Sequence, residues 1–254
     1  MKERISVVIP TLNEEENIKT CLCCLLKQVE KPYEVIVVDN GSIDNTRYIV
    51  QNLKKEFSKE NIKLRLFYHP YGNQTDARNI GIKKSNGEII ASLDAEACTY
   101  SNWIRKINEY FIDKDLIGIG GRSIFRNKGS LFNLFYNINY YLRIFFNLYC
   151  ISGNNSAFRK SVFDSVNGYS GLEELRKEYN ILYAKDDYYL SKKLEKKGNL
   201  KFCSDLNVTL LYRLRNRITK TYKGNVSIRE MLIRVYLEIY YDYIISRYFW
   251  KINA

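Results

Sequence analysis

An α/β fold with a mostly parallel central sheet, flanked by helices, is what this sequence predicts, and three features of its first hundred residues predict it. Short apolar runs recur at 5–9, 35–38, 64–68 and 88–93. Segments with helical spacing separate them. Strands this continuously apolar belong in a sheet covered on both faces, which is the parallel α/β arrangement.

Taken in order, residues 5–9 read as a first buried strand. Asn13 followed by Glu16 forms a capping-box pattern for the next helix, where Ile18, Leu22, Leu25, Leu26 and Val29 repeat at helical spacing. Residues 35–38 are a second strand, ending at Asp39-Asn40-Gly41-Ser42. Asp44 is placed to cap a helix through Leu53 and Phe57. A strand at 64–68, a helix at 75–84 and a strand at 88–93 follow, the last running into Asp94. In such sheets ligands bind beyond the carboxyl ends of the strands. The clusters at 11–14, 39–42 and 94–96 all follow strand ends, so they are expected to converge.

The second half has a different texture. Residues 131–149 are rich in Leu, Phe, Tyr and Ile, but Asn133, Asn137, Asn139, Arg143 and Asn147 argue against a lipid-exposed span. Residues 183–197 read as a helix ended by Gly198. Residues 228–250 carry a long helical pattern of Ile, Leu, Val and Tyr edged by Arg229, Arg234, Arg247 and Lys251.

With 254 residues, 46% of them hydrophobic, the chain can bury a large core. Its net charge of +12 favours anionic partners: nucleotides, nucleic acid or an acidic membrane surface. The six cysteines do not form a dense disulfide framework. Cys21 and Cys24 have metal-like spacing, but with no second pair and with His69 as the sole histidine they read as buried helix residues. The N-terminal apolar run is too short for a signal peptide, so the chain is expected in the cytosol or on the cytosolic face of a membrane.

Four constellations carry candidate chemistry. Asp94 and Glu96, one residue apart at a strand end, can both reach one hard cation, Mg²⁺ or Mn²⁺, or can simply solvate a turn. Asp39 and Ser42 can hold a base or ribose, or form an ordinary turn. Arg78 lies on a helix near the same edge, where a guanidinium can pair with a diphosphate; otherwise it is a surface arginine. Asp186 and Asp187 start a helix, where they satisfy the dipole or supply a general base.

The order of these signals resembles the family-2 glycosyltransferases of GT-A fold, a Rossmann-like nucleotide-diphospho-sugar transferase architecture. The matching stretches are Ser6-Val-Val-Ile-Pro-Thr-Leu-Asn-Glu-Glu15, Val37-Val-Asp-Asn-Gly-Ser42, Ala77-Arg-Asn-Ile-Gly81, Leu93-Asp-Ala-Glu96, Gly153-Asn-Asn-Ser-Ala-Phe-Arg159 and Asp186-Asp187-Tyr-Tyr-Leu190. The resemblance implies that Pro10, Thr11, Asn13 and Glu14 border the nucleotide and that Asp39, with Ser42, binds the base. It implies Arg78 at the diphosphate, Asp94 at the ribose or metal, and Glu96 at the metal. Asn154, Asn155 and Ala157 would line the sugar and acceptor side, and Asp187 would be the base with Asp186 beside it. The implied activity is inverting, Mn²⁺- or Mg²⁺-dependent transfer from a nucleotide-sugar donor, UDP before GDP, to a glycan, lipid-linked or protein acceptor, with no nucleic-acid partner. The chain departs from the pattern at Glu96, where Asp is usual, and at Asp186, where Glu is usual. It also lacks the Gln-x-x-Arg-Trp signature of processive synthases, which favours addition of a single sugar.

Residues 1–212 are thus expected to form the catalytic domain, with a nucleotide-binding half at 1–100 and an acceptor-side half at 101–212. Residues 213–254 would be a basic stretch and a C-terminal helical extension. Residues 131–149 and that extension either dock peripherally on anionic lipid or pack on the sheet or on a second subunit of a homodimer. Two rival functions stand beside this one. A nucleotidyltransferase would want a Gly-rich basic loop after the first strand, where this chain has acidic Thr11-Leu-Asn-Glu-Glu-Glu16. A non-catalytic module binding nucleic acid or membrane would use Arg213, Arg215, Arg217, Lys220 and Lys223 with Tyr212 and Tyr222 interleaved. A dehydrogenase is excluded by the absence of G-x-G-x-x-G.

Overall fold

The computed structural model describes residues 2–210 except 127, 128, 131, 132, 135, 139, 140, 142–150 and 179–185. The apolar segment at 131–149 therefore lies mostly outside the described residues, and the basic stretch and the helix at 228–250 lie wholly outside them. Among the described residues no helix is long and apolar enough to cross a membrane.

Eight strands form one sheet in the order β3-β2-β1-β4-β7-β6-β8-β5. Strands β1 (Ile5–Thr11), β2 (Glu34–Asp39) and β4 (Ile89–Leu93) are buried at every position. Together with edge strand β3 (Lys63–Tyr68) they pair in parallel. Alternation along each strand feeds two cores. Val7, Ile9, Val35, Val37, Ile89 and Ala91 enter one with Leu22 and Leu25 of helix α1 (Ile18–Leu26). Val8 and Ile90 enter another on the opposite face. Each such side chain contributes about 1.5–3 kcal/mol when fully buried. Buried Glu34, at the start of β2, accepts from Ser6 Oγ at 2.8 Å and from Arg65 on β3 at 2.7 Å, so it cross-links three neighbouring strands.

The expected helix beginning at Asn13 starts later. Asn13 sits in the left-handed region (φ 53°), and α1 is capped at Asn17. Asn13 Oδ1 accepts from the Ile43 N–H at 2.9 Å, and the Asn13 N–H donates to Ser42 Oγ at 2.9 Å. Because β1 and β2 are neighbours, their following loops lie side by side, and Asn13 serves the other loop instead of its own helix. Asp44 does cap as expected, with Oδ1 accepting from the Thr46 N–H at 3.0 Å. The following helix breaks at Leu53 into α2 (Thr46–Asn52) and α3 (Lys54–Lys59).

Helix α4 (Gln74–Lys83) is opened by a capping box. Asn73 accepts from the Thr75 and Asp76 N–H groups, and Asp76 accepts from the Asn73 N–H. The helix lies directly on β1, where a Cβ at Gly81 would overlap Val8. After β4 come β5 (Cys98–Thr99) and α5 (Trp103–Tyr110).

The second half of the sheet is mixed rather than parallel. Strand β7 (Asn155–Arg159) runs antiparallel to both β4 and β6 (Leu116–Phe125), and β6 pairs in parallel with the long β8 (Asn199–Leu210). Helices α6 (Lys160–Ser165), α7 (Leu172–Glu178) and α8 (Asp186–Glu195) complete the described fold. Tyr188, Leu190 and Leu194 of α8 pack into the same core as Val8 and Ile90.

Cys21 is a buried residue of α1 as expected, whereas Cys24 departs from that expectation. Cys24 is disulfide-bonded to Cys98 across 74 positions, because its face of α1 meets the start of β5. Cys21 and Cys203 are buried free thiols, and Cys23 is half-buried.

Candidate active site

The carboxyl ends of β1 and β4 and the loops after β2 and β3 open on a cleft of about 410 Å³. Pro10, Thr11 and Glu14 line it on one side, Asp94 and Glu96 on the other. Asp94 and Glu96 alternate with Ala95 and Ala97, both buried in the core beside α1. A turn closed by the Ala97 N–H on the Asp94 carbonyl at 3.0 Å follows β4 and brings both carboxylates to the cleft.

The centre of the site is Arg78, a side chain the sequence leaves open as a surface arginine. It is 4% exposed. One amino group donates to Asp94 Oδ1 at 2.7 Å and the other to Asp186 Oδ2 at 2.9 Å, with Asp187 Oδ1 at 3.9 Å. Burial alone lowers an arginine pKa, but the Asp94, Asp186 and Asp187 charges outweigh it and raise it, so the guanidinium stays charged. Helix spacing supplies two supporting donors: Gln74 donates to Asp94 Oδ1 at 3.2 Å and Thr75 Oγ1 to Asp186 Oδ2 at 3.0 Å. Gly153 makes room, since a Cβ there would stand 2.5 Å from the guanidinium carbon and 2.8 Å from Asp187 Oδ1. Its carbonyl is held by Ser92 Oγ at 2.7 Å. Thus α4, β4, α8 and the strand-leading turn before β7 meet at one cation.

The two aspartates of α8 are unequal. Asp186 is engaged by Arg78 and Thr75, and its Oδ1 accepts the Asp187 N–H at 3.1 Å. Asp187 Oδ1 is buried beside Arg78 and Gly153 without a well-formed hydrogen bond, and Oδ2 accepts from Ser152 Oγ at 3.5 Å. Burial first and the Asp186 charge second push the Asp187 carboxyl up to about 7, against the opposing pull of Arg78. A part-exposed carboxylate with a pKa near neutrality has the properties of a general base.

Other expected residues are placed differently. Asp39 is wholly buried, with its oxygens on Thr11 Oγ1 at 3.4 Å, the Ser42 N–H at 3.2 Å and Arg47 Nε at 3.6 Å. It organises the loops, and its neighbour Asn40 lines the cleft instead. Asn155 is also wholly buried; it accepts from Trp103 Nε1 at 2.8 Å and donates to the Arg122 and Leu206 carbonyls at 3.1 and 2.8 Å. Ala157 is buried in β7 between β4 and β6. Neither lines an acceptor surface, because β7 is an interior strand. Asn154 is half-buried and accepts from Ser123 Oγ at 3.1 Å. Gln74, Asn40 and Asn73 line the cleft without having been singled out from sequence. The Asn73-x-x-Asp76 cap was the available signal for the helix that aims Gln74 and Arg78.

For a divalent cation, the described residues hold no cluster of three or more His, Cys, Asp or Glu side chains. Asp94 and Glu96 supply two hard oxygen donors at the cleft, which fits Mg²⁺ or Mn²⁺ whose remaining ligands are water or phosphate oxygens.

An α/β sheet with a polar cleft at its carboxyl edge, lined by Asp94 and Glu96 and with Asp187 close by, suits a nucleotide-dependent transferase. Residues 6–166 match the family described as Glycosyl transferase family 2, and the chain belongs to that family. Glycosyltransferase AglE of Haloferax volcanii is 36% identical over 104 residues, covering 40% of this chain and 33% of the relative. A Methanococcus voltae enzyme, dolichyl N-acetyl-alpha-D-glucosaminyl phosphate 3-beta-D-2,3-diacetamido-2,3-dideoxy-beta-D-glucuronosyltransferase, is 28% identical over 88% of this chain and 71% of its own length. Among solved structures, the mannosyltransferase PcManGT of Pyrobaculum calidifontis, in complex with GDP-Man and Mn²⁺, superposes with a TM-score of 0.67 at 20% identity, covering 85% of this chain and 59% of that one. S. aureus TarS 1–349 in complex with UDP-GlcNAc gives 0.57 at 21% identity, covering 97% and 71%. These likenesses establish the GT-A fold.

Proposed function

We propose that the chain transfers one sugar from a UDP- or GDP-sugar to an acceptor hydroxyl, with inversion, using the cleft between the β1 and β4 strand ends. The observation that carries this reading is the Arg78 cluster, which brings the cation-binding motif and the base-bearing helix to one point. The nucleotide would lie along the strand ends, bordered by Pro10, Thr11, Glu14 and Asn40. Asp94 and Glu96 would hold Mn²⁺ or Mg²⁺, which neutralises charge on a leaving diphosphate. Asp187 takes the proton of the acceptor hydroxyl through Oδ2, since Oδ1 is buried against Arg78 while the side chain as a whole keeps 25% of its area exposed. Asp186 raises the basicity of Asp187 and is itself fixed by Thr75 and Arg78. Arg78 is too deeply buried to clamp a diphosphate as it stands; it holds three carboxylates around one guanidinium.

The relatives support a range of acceptors. The Methanococcus voltae relative is named for a dolichyl-linked one, which favours a lipid-linked acceptor and work at a membrane face. Release of UDP or GDP from a panel of nucleotide sugars, with and without Mn²⁺, on the protein and on Asp187→Asn tests the reading. Metal-dependent turnover with one donor, abolished in the variant, is expected. Turnover that survives in Asp187→Asn removes the assigned base, and tight nucleic-acid binding without nucleotide-sugar turnover moves the basic-module reading to first place.

A further inference from the structure

The segment bearing Asp94 and Glu96 is fastened along one face of α1. Cys21 donates its thiol hydrogen to the Asp94 carbonyl at 3.7 Å. Cys24 is bonded to Cys98, which stands two residues beyond Glu96. Gln28, just past the helix, donates to Thr99 Oγ1 at 3.0 Å and to the Tyr100 carbonyl at 2.7 Å, and accepts the Ile104 N–H at 3.0 Å. Positions 21, 24 and 28 follow the three- and four-residue spacing of a single helical stripe. Ala95 and Ala97 are packed into the core on the same side. The disulfide is the covalent member of this set, and both its cysteines are only half-buried, within reach of a small thiol.

Resting on the reading of Asp94 and Glu96 as cation ligands, we propose that Cys24 and Cys98 are positioning residues for that site, so that metal-assisted nucleotide binding depends on their redox state. A dithiol reductant delivers two electrons and two protons to the sulfurs; the S–S bond breaks, Cys24 and Cys98 become thiols, and the reductant closes to its own disulfide. The 94–98 segment then loses its covalent tie to α1, and the placement of Asp94 and Glu96 rests on hydrogen bonds alone.

The test is calorimetric titration of UDP and of GDP, each with and without Mn²⁺. It uses oxidised protein and protein reduced with dithiothreitol and freed of it without air. The gain in affinity conferred by Mn²⁺ is expected to fall about tenfold on reduction, the lower end of what outer supports of metal sites are worth. Affinity without metal stays unchanged, and reoxidation restores the gain. Cys24→Ser is expected to match the reduced protein whatever its redox history; if that variant fails to fold, reduced wild type still decides. An Mn²⁺ gain equal in both states overturns the proposal. So does an equal loss with and without metal, which is what a merely stabilising cross-link gives, and so does recovery of Cys24 and Cys98 as thiols after mild oxidation. Binding of neither nucleotide in either state overturns the donor reading itself, and this inference with it.

Discussion

The two halves of the sheet place functional side chains in opposite ways. In the parallel half, β1, β2 and β4 are buried throughout and edge strand β3 only in part; Thr11, Asp39 and Asp94 stand at or just past carboxyl ends, while buried Glu34 opens β2 as a cross-link. In the mixed half, β7-β6-β8, polar residues such as Asn155 and Ser156 sit inside the sheet, and the chemistry arrives on α8. On the proposed reading the first half is the nucleotide edge and the second supplies the base; Arg78 is where the two are joined.

The largest expected effect separates chemistry from binding. Asp187→Asn should lower kcat roughly 10²–10⁴-fold, the usual worth of a positioned base, with nucleotide affinity nearly unchanged, because the residues that line the cleft all come from the parallel half. A comparable loss in affinity would break the division of labour. In wild type, Asp187 carries a proton below its pKa of about 7, so kcat/KM should climb with pH and level off above that value. Asp186→Asn removes the second cause of the shift, and the midpoint of the profile should move down.

Next comes the join itself. Arg78→Ala leaves Asp94, Asp186 and Asp187 facing one another without a cation. Breaking a buried pair costs roughly 3–5 kcal/mol, and the lower figure applies here because Asp94 and Asp186 keep 23% and 21% of their side-chain area exposed. Urea denaturation should show the midpoint falling accordingly. Arg78→Lys should recover only part of it, since an ammonium cannot bridge two carboxylates with a planar fork. A loss below about 1 kcal/mol, the worth of a surface pair, would mean that the halves are held together by the hydrophobic cores alone.

This join explains what was legible in the sequence. Strands β1, β2 and β4 could be read because an apolar run needs no partner to identify it, and the strand-end positions of Thr11, Asp39 and Asp94 followed. The burial of Arg78 could not be read: it depends on how closely α4 approaches β1, which Gly81 permits. The Cys24–Cys98 bond joins segments 74 residues apart, and spacing says nothing of that. Asn13 and Asn155 were misplaced for one reason. An asparagine in a motif looks the same whether its amide faces a ligand or satisfies a neighbouring loop or strand.

Gly153 allows a finer test of the join. Gly153→Ala would press a methyl group against the Arg78 guanidinium and Asp187 Oδ1. A displacement near 1 Å at a reacting group costs about 10²-fold in rate, so kcat should fall by about that factor while the donor KM moves little. An unchanged kcat would show that the cluster tolerates re-spacing and that Asp187 is not held to a fixed geometry.

The smallest effect concerns Asn155 and sharpens the comparison most directly. If the mixed half uses its interior polar residues for architecture, Asn155→Ala should change stability and leave catalysis alone. The substitution strands the Trp103 indole N–H and the Arg122 and Leu206 carbonyls in the core. Each unpaired buried group costs roughly 1–3 kcal/mol, and relaxation keeps the sum nearer one such group than three. Trp103→Phe removes a donor but not the acceptor's other bonds, so it should cost less than Asn155→Ala. Thermal melts of both variants beside their steady-state kinetics check this. A fall in acceptor affinity in Asn155→Ala at unchanged stability would reverse the assignment and return Asn155 to the acceptor surface, in which case β7 would have to open toward the cleft during turnover.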